Sequence, residues 1–143
     1  MPDVGDEAEV AVDTSVAIAY LVRSHNHHAA VRHHLAGRRL CLTTHSLAET
    51  YSVLTRLPGD ARVTAADAST LIEVNFARVI PLPLPLAERL HVIIAEHEIS
   101  GGAVYDALVA LAAREHGVPL ATRDTRAAST YAALAVRVEL LPG

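Results

Sequence analysis

Residues 9–22 decide the fold, and their sequence is Glu-Val-Ala-Val-Asp-Thr-Ser-Val-Ala-Ile-Ala-Tyr-Leu-Val. The apolar run at residues 9–12 has the length of a buried strand and ends at Asp13. Residues 16–22 then form a pattern that is compatible with a helix. A strand that passes directly into a helix is typical of α/β proteins. The segment therefore predicts an α/β fold with an acidic residue directly after its first strand.

Strand and helix patterns continue to alternate along the chain. Strands separated by helical stretches predict a mostly parallel central sheet that is flanked by helices. Ligands of such sheets bind beyond the carboxyl ends of the strands, so the residues that follow strands are candidates for a site. The Pro-Leu alternation at residues 81–85 predicts a stiff extended connection. The further predicted strands are 40–43, 78–82, 118–122 and 136–141, and the further predicted helices are 25–35, 46–57, 64–75, 87–98, 104–116 and 125–134.

The length and composition indicate one globular domain. The chain has 143 residues, of which 51% are hydrophobic and 20% charged. We expect a short flexible leader at residues 1–9 and a single domain at residues 10–143. The acidic start does not resemble a signal peptide, and the longest apolar stretches are too short to span a bilayer. Together with the single Cys41, these features predict a cytoplasmic protein.

Several classes of function are excluded by composition. All twelve basic residues are Arg, so a Schiff-base lysine, a P-loop lysine and the lysine of a phospho-accepting receiver domain are ruled out. A dehalogenase-type phosphatase needs a second Asp two residues after Asp13, where this chain has Ser15. Aromatic residues make up 3% of the chain, which argues against interleaved base-stacking platforms. The net charge of -4 argues against nucleic-acid binding through an overall positive field.

Two acidic residues follow predicted strands. Asp13 follows the strand at residues 9–12, and Asp124 follows the strand at residues 118–122. If these strands are parallel, both carboxylates lie along one edge of the sheet. The alternative is helix capping alone, because Asp accepts hydrogen bonds from the free backbone N–H groups of a first helical turn.

Two further acids belong to predicted helices. Asp106 opens a helix whose next seven residues, 107–113, are all apolar, which indicates a helix buried between layers. The alternative for Asp106 is a stabilising interaction with the helix dipole. Glu49 borders the apolar arc of the helix at residues 46–57, and its alternative is a surface ion pair with Arg56 or Arg123. Acids that converge raise each other's pKa unless a cation neutralises them. Mg²⁺ or Mn²⁺ takes such oxygen ligands and activates water for attack on a phosphodiester.

Four blocks of the sequence resemble the acidic motifs of PIN-domain ribonucleases, and in order and context they are most similar to VapC toxins of toxin-antitoxin pairs. The similarity covers about residues 10–141, and the block around Asp106 is its most specific part. The blocks are residues 12–16 (Val-Asp-Thr-Ser-Val), 48–56 (Ala-Glu-Thr-Tyr-Ser-Val-Leu-Thr-Arg), 99–108 (Ile-Ser-Gly-Gly-Ala-Val-Tyr-Asp-Ala-Leu) and 121–124 (Ala-Thr-Arg-Asp).

The resemblance implies a three-layer PIN-like fold and a Mg²⁺- or Mn²⁺-dependent endoribonuclease that cleaves a loop of tRNA or ribosomal RNA. It implies a VapB-type antitoxin that blocks the acidic pocket, and a homodimer. Thr14 and Thr122 match positions where a hydroxyl holds a carboxylate or a metal-bound water. The alternative is a catalytically inactive PIN fold that binds RNA or a partner. The implied catalytic and metal-binding residues are Asp13, Glu49, Asp106 and Asp124.

A histidine cluster occupies residues 25–34. It lacks the Cys or carboxylate that would complete a zinc site with the usual spacing, so a solvated or dimer-facing helix is favoured. A second hypothesis makes these imidazoles, with Arg32, Arg38 and Arg39, a local positive patch for RNA beside the acidic pocket.

Overall fold

The computed structural model describes residues 9–142. The predicted leader therefore lies outside the described residues, except for Glu9, which is the first residue of the first strand. The strands are β1 (Glu9–Val12), β2 (Arg39–Thr43), β3 (Arg78–Ile80), β4 (Leu120–Thr122) and β5 (Val138–Leu140). The helices are α1 (Thr14–Leu21), α2 (His28–His34), α3 (Thr44–Thr55), α4 (Ala65–Asn75), α5 (Leu84–Glu88), α6 (Leu90–Glu96), α7 (Ala103–Glu115) and α8 (Thr125–Ala133), with a 3-10 turn at Gly59–Ala61.

The five strands form one sheet in the order β3-β2-β1-β4-β5. Every neighbouring pair is parallel, which confirms the predicted parallel sheet. β1 lies at the centre, and its Val12 pairs in register with Ala121 of β4. The carboxyl ends of β1 and β4 therefore meet at the same edge of the sheet, as the positions of Asp13 and Asp124 required.

The core has two parts because side chains alternate across the strands. In β1, Val10 and Val12 pack with apolar residues of α1, α2, α3 and α4, whereas Ala11 packs with those of α7 and α8. In β2, Leu42 belongs to the same part of the core as Val10 and Val12, and Cys41 belongs to the same part as Ala11. The sheet is thus covered by helices on both faces, which confirms the predicted three-layer α/β architecture. No helix among residues 9–142 is both long and apolar enough to cross a bilayer.

The largest departure from the predicted elements follows β3. The structure has two short helices, α5 and α6, where the sequence predicted an extended segment and one helix at residues 87–98. Pro85 lies in the first turn of α5. This position tolerates proline because the first N–H groups of a helix have no intrahelical partner. The second departure is α2, which begins at His28 rather than at residue 25.

The boundary between α7 and β4 is formed by Gly117. This residue adopts a φ of +65°, a left-handed conformation that glycine reaches without steric cost. The N–H of the next residue, Val118, donates to the carbonyl of Ala113 at 3.1 Å and closes the end of the helix. The turn directs the chain into β4, which leads to Asp124.

Candidate active site

Asp13 lies at the carboxyl end of β1 and is 5% exposed. Its Oδ1 accepts hydrogen bonds from the hydroxyl of Ser15 at 2.6 Å and from the backbone N–H of Val16 at 3.2 Å. Asp13 is therefore the N-cap of α1, as the capping hypothesis expected. Capping explains the contacts of only one carboxylate oxygen of Asp13, because the second oxygen, Oδ2, faces a different donor.

The second donor to Asp13 is Tyr131 of α8, whose hydroxyl gives a 2.9 Å hydrogen bond to Oδ2. Burial raises the pKa of Asp13, while the hydroxyls of Ser15, Thr122 and Tyr131 oppose that shift. Burial, followed by the charge of Asp13, raises the pKa of Tyr131 as well, so the tyrosine remains a hydrogen-bond donor. The site thus holds a carboxylate in a buried position by surrounding it with hydroxyl groups.

Asp106 lies in the first turn of α7 and is half-buried. Its pKa is raised to about 6, first by burial and then by the negative charges of Asp13, Asp124 and Glu49. The charges of the other three predicted site residues therefore act on the Asp106 carboxyl. No hydrogen bond to the Asp106 carboxylate occurs within residues 9–142, so its oxygens are not committed to another group of that part of the chain.

Glu49 projects from α3 and is held by Thr14. The Thr14 hydroxyl donates to Oε1 of Glu49 at 2.7 Å, and Nε2 of His45 lies 3.6 Å from the same oxygen. The similarity-based expectation that Thr14 holds a carboxylate is thereby confirmed. The alternative of an ion pair with Arg56 or Arg123 is wrong, because the described structure places Glu49 against Thr14 and His45 instead.

Asp124 has two roles at the end of β4. Its Oδ1 accepts from the backbone N–H groups of Arg126 at 2.9 Å and Ala127 at 3.4 Å, so it caps α8. Its own N–H donates to the hydroxyl of Thr122 at 3.1 Å, which fixes the backbone there. The cap uses one carboxylate oxygen, and the charge of Asp124 still contributes to the raised pKa of Asp106.

Ser15 and Tyr131 are site residues that the sequence patterns did not predict. Ser15 joins the two strand ends, because its hydroxyl accepts from the backbone N–H of Arg123 at 3.0 Å while it donates to Asp13. Tyr131 follows Asp124 by seven residues, which places both on one side of a helix. That spacing was a usable signal, since Tyr131 is the single aromatic residue of the helix at residues 125–134.

The donor set has the chemistry of a site for a hard divalent cation. Four carboxylates supply oxygen ligands, and a bound cation would relieve the repulsion that raises the pKa of Asp106. Within residues 9–142 no group of three or more His, Cys, Asp or Glu side chains already has an arrangement that could hold a metal ion. The acids thus fit the cation by their chemistry, and their side chains would have to rearrange to bring three oxygens onto one ion.

The hypothesis of a positive patch formed by the histidine cluster with Arg32, Arg38 and Arg39 is wrong for two of its arginines. Arg39 begins β2 and Arg38 precedes it, so both lie at the end of the strand opposite to the acids. The guanidinium of Arg32 stacks over the ring of Tyr20 at 3.8 Å. Burial, followed by the charge of Arg123, lowers the pKa of His25.

The chain is similar to known proteins over most of its length. The PIN domain pattern matches residues 10–133. The chain is 55% identical over 129 residues to "Ribonuclease VapC27" of Mycobacterium tuberculosis, a match that covers 90% of this chain and 94% of the relative.

Two solved structures share the fold. One is the crystal structure of Mycobacterium tuberculosis VapC20, described as a sarcin-ricin loop cleaving toxin, with a TM-score of 0.68 and 22% identity over 93% of this chain and 99% of that chain. The other is VapBC-5 from Mycobacterium tuberculosis, a member of the VapBC family of toxin-antitoxin systems, with a TM-score of 0.56 and 26% identity over 95% of this chain and 99% of that chain.

Proposed function

This chain belongs to the PIN-domain family, among the VapC ribonucleases, and from that membership we propose that it is a metal-dependent endoribonuclease and the toxin of a toxin-antitoxin pair. The observation that carries the proposal is that Asp13, Asp124 and Glu49 act on Asp106, where their negative charges add to the effect of burial and raise its pKa to about 6. No arginine neutralises these acids within the described part of the chain. The neighbouring acids disfavour the charged form of Asp106, and an external cation bound there would offset that repulsion.

In the proposed mechanism, Mg²⁺ or Mn²⁺ would be held by Asp13, Glu49, Asp106 and Asp124. The bound ion would supply an activated water and stabilise the oxygen that leaves the phosphodiester. Hydrolysis of the P–O3′ bond by water would leave a 5′-phosphate on one product and a 3′-hydroxyl on the other. The four acids together provide the negative charge that makes the ion bind.

The remaining polar residues position the acids. Tyr131 and Ser15 donate to the two oxygens of Asp13 and fix the plane of its carboxylate. Thr14 fixes Glu49 through the 2.7 Å hydrogen bond to Oε1. Because Asp106 has no such restraint among residues 9–142, it is the acid that is free to move toward a cation. We therefore assign the main ligand roles to Asp13 and Asp106 and supporting roles to Glu49 and Asp124.

The proposal includes partners. An acidic pocket in a chain of net charge -4 is complementary to a cationic peptide, so a VapB-type antitoxin would present Arg or Lys to the four acids and compete with the metal. One solved structure that shares the fold, VapBC-5, is of a toxin-antitoxin system. We further propose a homodimer that acts in the cytoplasm, with a loop of tRNA or ribosomal RNA as substrate.

The test is cleavage of a mixture of tRNA and ribosomal RNA by the purified protein, with and without a chelator. We expect cleavage in Mg²⁺ or Mn²⁺, no cleavage after chelation, and no cleavage by Asp13→Asn, which keeps the helix cap but removes the charge. An Asp13→Asn protein that folds normally and cleaves at the wild-type rate would falsify the assignment. RNA binding without cleavage by the wild-type protein in either metal would instead support the catalytically inactive alternative.

A further inference from the structure

One aromatic residue lies at the edge of the acidic site with most of its surface accessible. Tyr105 directly precedes Asp106 in α7, and it is 57% exposed. Its ring stacks on the imidazole of His45 from α3, with a centroid separation of 5.4 Å and an interplanar angle of 11°. The nearly parallel rings form a two-ring stack that joins α3 to α7.

The stack is adjacent to the carboxylates on both of its helices. On α7, Tyr105 directly precedes Asp106, whose pKa is raised by burial and then by the negative charges of the other three acids. On α3, His45 precedes Glu49 by one helical turn, and its Nε2 lies 3.6 Å from Oε1 of Glu49. The stack therefore lies next to two of the four acids, Asp106 and Glu49.

The other aromatic residues show how unusual this exposure is in the chain. Tyr131 is buried against Asp13, and Phe76 is buried in the core. Tyr20 is half-buried and covered by Arg32. Tyr51 is 38% exposed but lines an apolar groove together with Leu47 and Ile72, away from the acids. Tyr105 thus combines the largest aromatic exposure in residues 9–142 with a position next to the site.

We propose that the exposed face of Tyr105, supported from behind by His45, stacks an unpaired base of the RNA next to the phosphodiester that is cleaved. The inference rests on the proposed ribonuclease function and adds a substrate-positioning residue to it. Unpaired RNA bases are recognised by stacking on aromatic side chains. Such stacking adds affinity without positive charge, which matters where four acids repel the phosphate backbone.

The geometry favours a base over a protein side chain as the occupant. A ring that is already held parallel to a second ring offers a flat, rigid surface, and it loses little conformational freedom when a planar ligand is added. Stacking tolerates any base, so Tyr105 would strengthen binding more than it would select a sequence. The platform is a single pair of rings from two helices, unlike the interleaved aromatics that the composition excludes.

The experiment compares Tyr105→Phe, Tyr105→Leu and the control Tyr51→Leu in steady-state cleavage of a single-stranded RNA oligonucleotide. Phe keeps the stacking face, and Leu keeps apolar bulk in a helix but cannot stack. We expect Tyr105→Leu to raise KM by about 5-fold to 100-fold, the scale of one base-aromatic stack, with a smaller change in kcat. Tyr105→Phe and Tyr51→Leu should stay near wild type, and all three variants should melt near the wild-type temperature.

A second readout separates this inference from the proposed function. The oligonucleotide carries 2-aminopurine beside the cleaved bond, and its fluorescence is measured with the non-cleaving Asp13→Asn protein with and without Tyr105→Leu. We expect quenching that the Leu variant loses. If the wild-type protein cleaves RNA but Tyr105→Leu has the wild-type KM and the wild-type quenching, the stacking role is wrong. A Leu variant that loses only binding of a cognate antitoxin would likewise overturn it and assign Tyr105 to the protein interface.

Discussion

The molecule contains two sets of acidic residues whose charges are balanced in different ways. In the paired region, Glu9 and Glu139 of the sheet each have an arginine partner. Arg78 binds Glu9 through two hydrogen bonds of 2.6 and 3.0 Å, and Arg38 binds Glu139 through two of 2.9 and 3.1 Å. At the carboxyl ends of β1 and β4, by contrast, four acids converge without an arginine partner among residues 9–142.

The two regions affect the charged forms of their groups in opposite ways. In the paired region, the guanidinium of Arg38 lowers the pKa of Glu139, and the hydrogen bonds that Arg78 donates to Glu9 raise the pKa of Arg78, so the charged forms are favoured. At the acidic site, burial and neighbouring acids raise the pKa of Asp106, and burial raises that of Asp13. The first region is neutralised by the chain itself. Under the proposed function, the second would be neutralised by a cation from outside, and this difference separates a structural charge cluster from a functional one.

The largest expected effect comes from removing one charge at the acidic site. Asp106→Asn should lower the rate of RNA cleavage by at least ~100-fold, the scale of losing one major electrostatic contributor to a transition state. Its metal-free stability should stay level or rise, because one repulsive charge is gone. The matched control, Glu139→Gln, removes a charge from the paired region and should leave cleavage unchanged. Equal losses of activity in both variants would contradict the conclusion that only the acidic site takes part in cleavage.

A smaller effect is expected at the hydroxyl that supports Asp13. Tyr131→Phe keeps the ring in the core but removes the 2.9 Å hydrogen bond to Oδ2. A hydrogen bond to a charged group contributes roughly 1.5 to 3 kcal/mol, so the free energy of unfolding at pH 7 should fall by about that amount in urea denaturation. Mg²⁺ should recover part of the loss by neutralising Asp13. Unchanged stability would mean that the tyrosine does not support the carboxylate.

The two regions should also give opposite pH dependence without divalent cations. The folded pKa of Asp106 is raised from 3.8 to about 6, so the folded state binds more protons than the unfolded state in that window, and stability falls as pH rises through it. The folded pKa of Glu139 is lowered, so its contribution is present above the ordinary pKa and is lost as pH falls. Melting curves from pH 3 to pH 8 should show that Asp106→Asn has a smaller fall of stability with rising pH than the wild type, while Glu139→Gln reduces the loss in acid. The fall that remains in Asp106→Asn belongs to Asp13, whose pKa is also raised. A fall as large as in the wild type would refute the assignment.

The smallest effect is expected for the ion pair at the strand starts. Arg78 is substantially exposed, so Glu9→Gln should cost less than about 1 kcal/mol of stability, and the cost should shrink further in high salt. RNA cleavage should be the same as in the wild type. Loss of cleavage in this variant would show that the paired region contributes to function.

The comparison also shows which parts of the site the sequence predicts. Asp13 and Asp124 were predictable because each follows a short apolar strand before a helix, and Asp106 because it opens an entirely apolar run. Tyr131 was not identified because its hydrogen bond joins residues that are 118 positions apart. The stack of His45 on Tyr105 depends in the same way on how two helices pack, and local patterns carry no record of that packing.

The central claim is that the unpaired acids form a divalent cation site, and calorimetric titration of the metal-free protein with Mg²⁺ and Mn²⁺ tests it most directly. We predict saturable binding at millimolar concentrations or below, together with a higher melting temperature, because an ion that binds only the folded state stabilises it by mass action. Asp106→Asn should lose most of both responses, and Glu139→Gln should keep them. The account is contradicted if neither metal binds the wild-type protein at millimolar concentration, or if Asp106→Asn binds them as tightly.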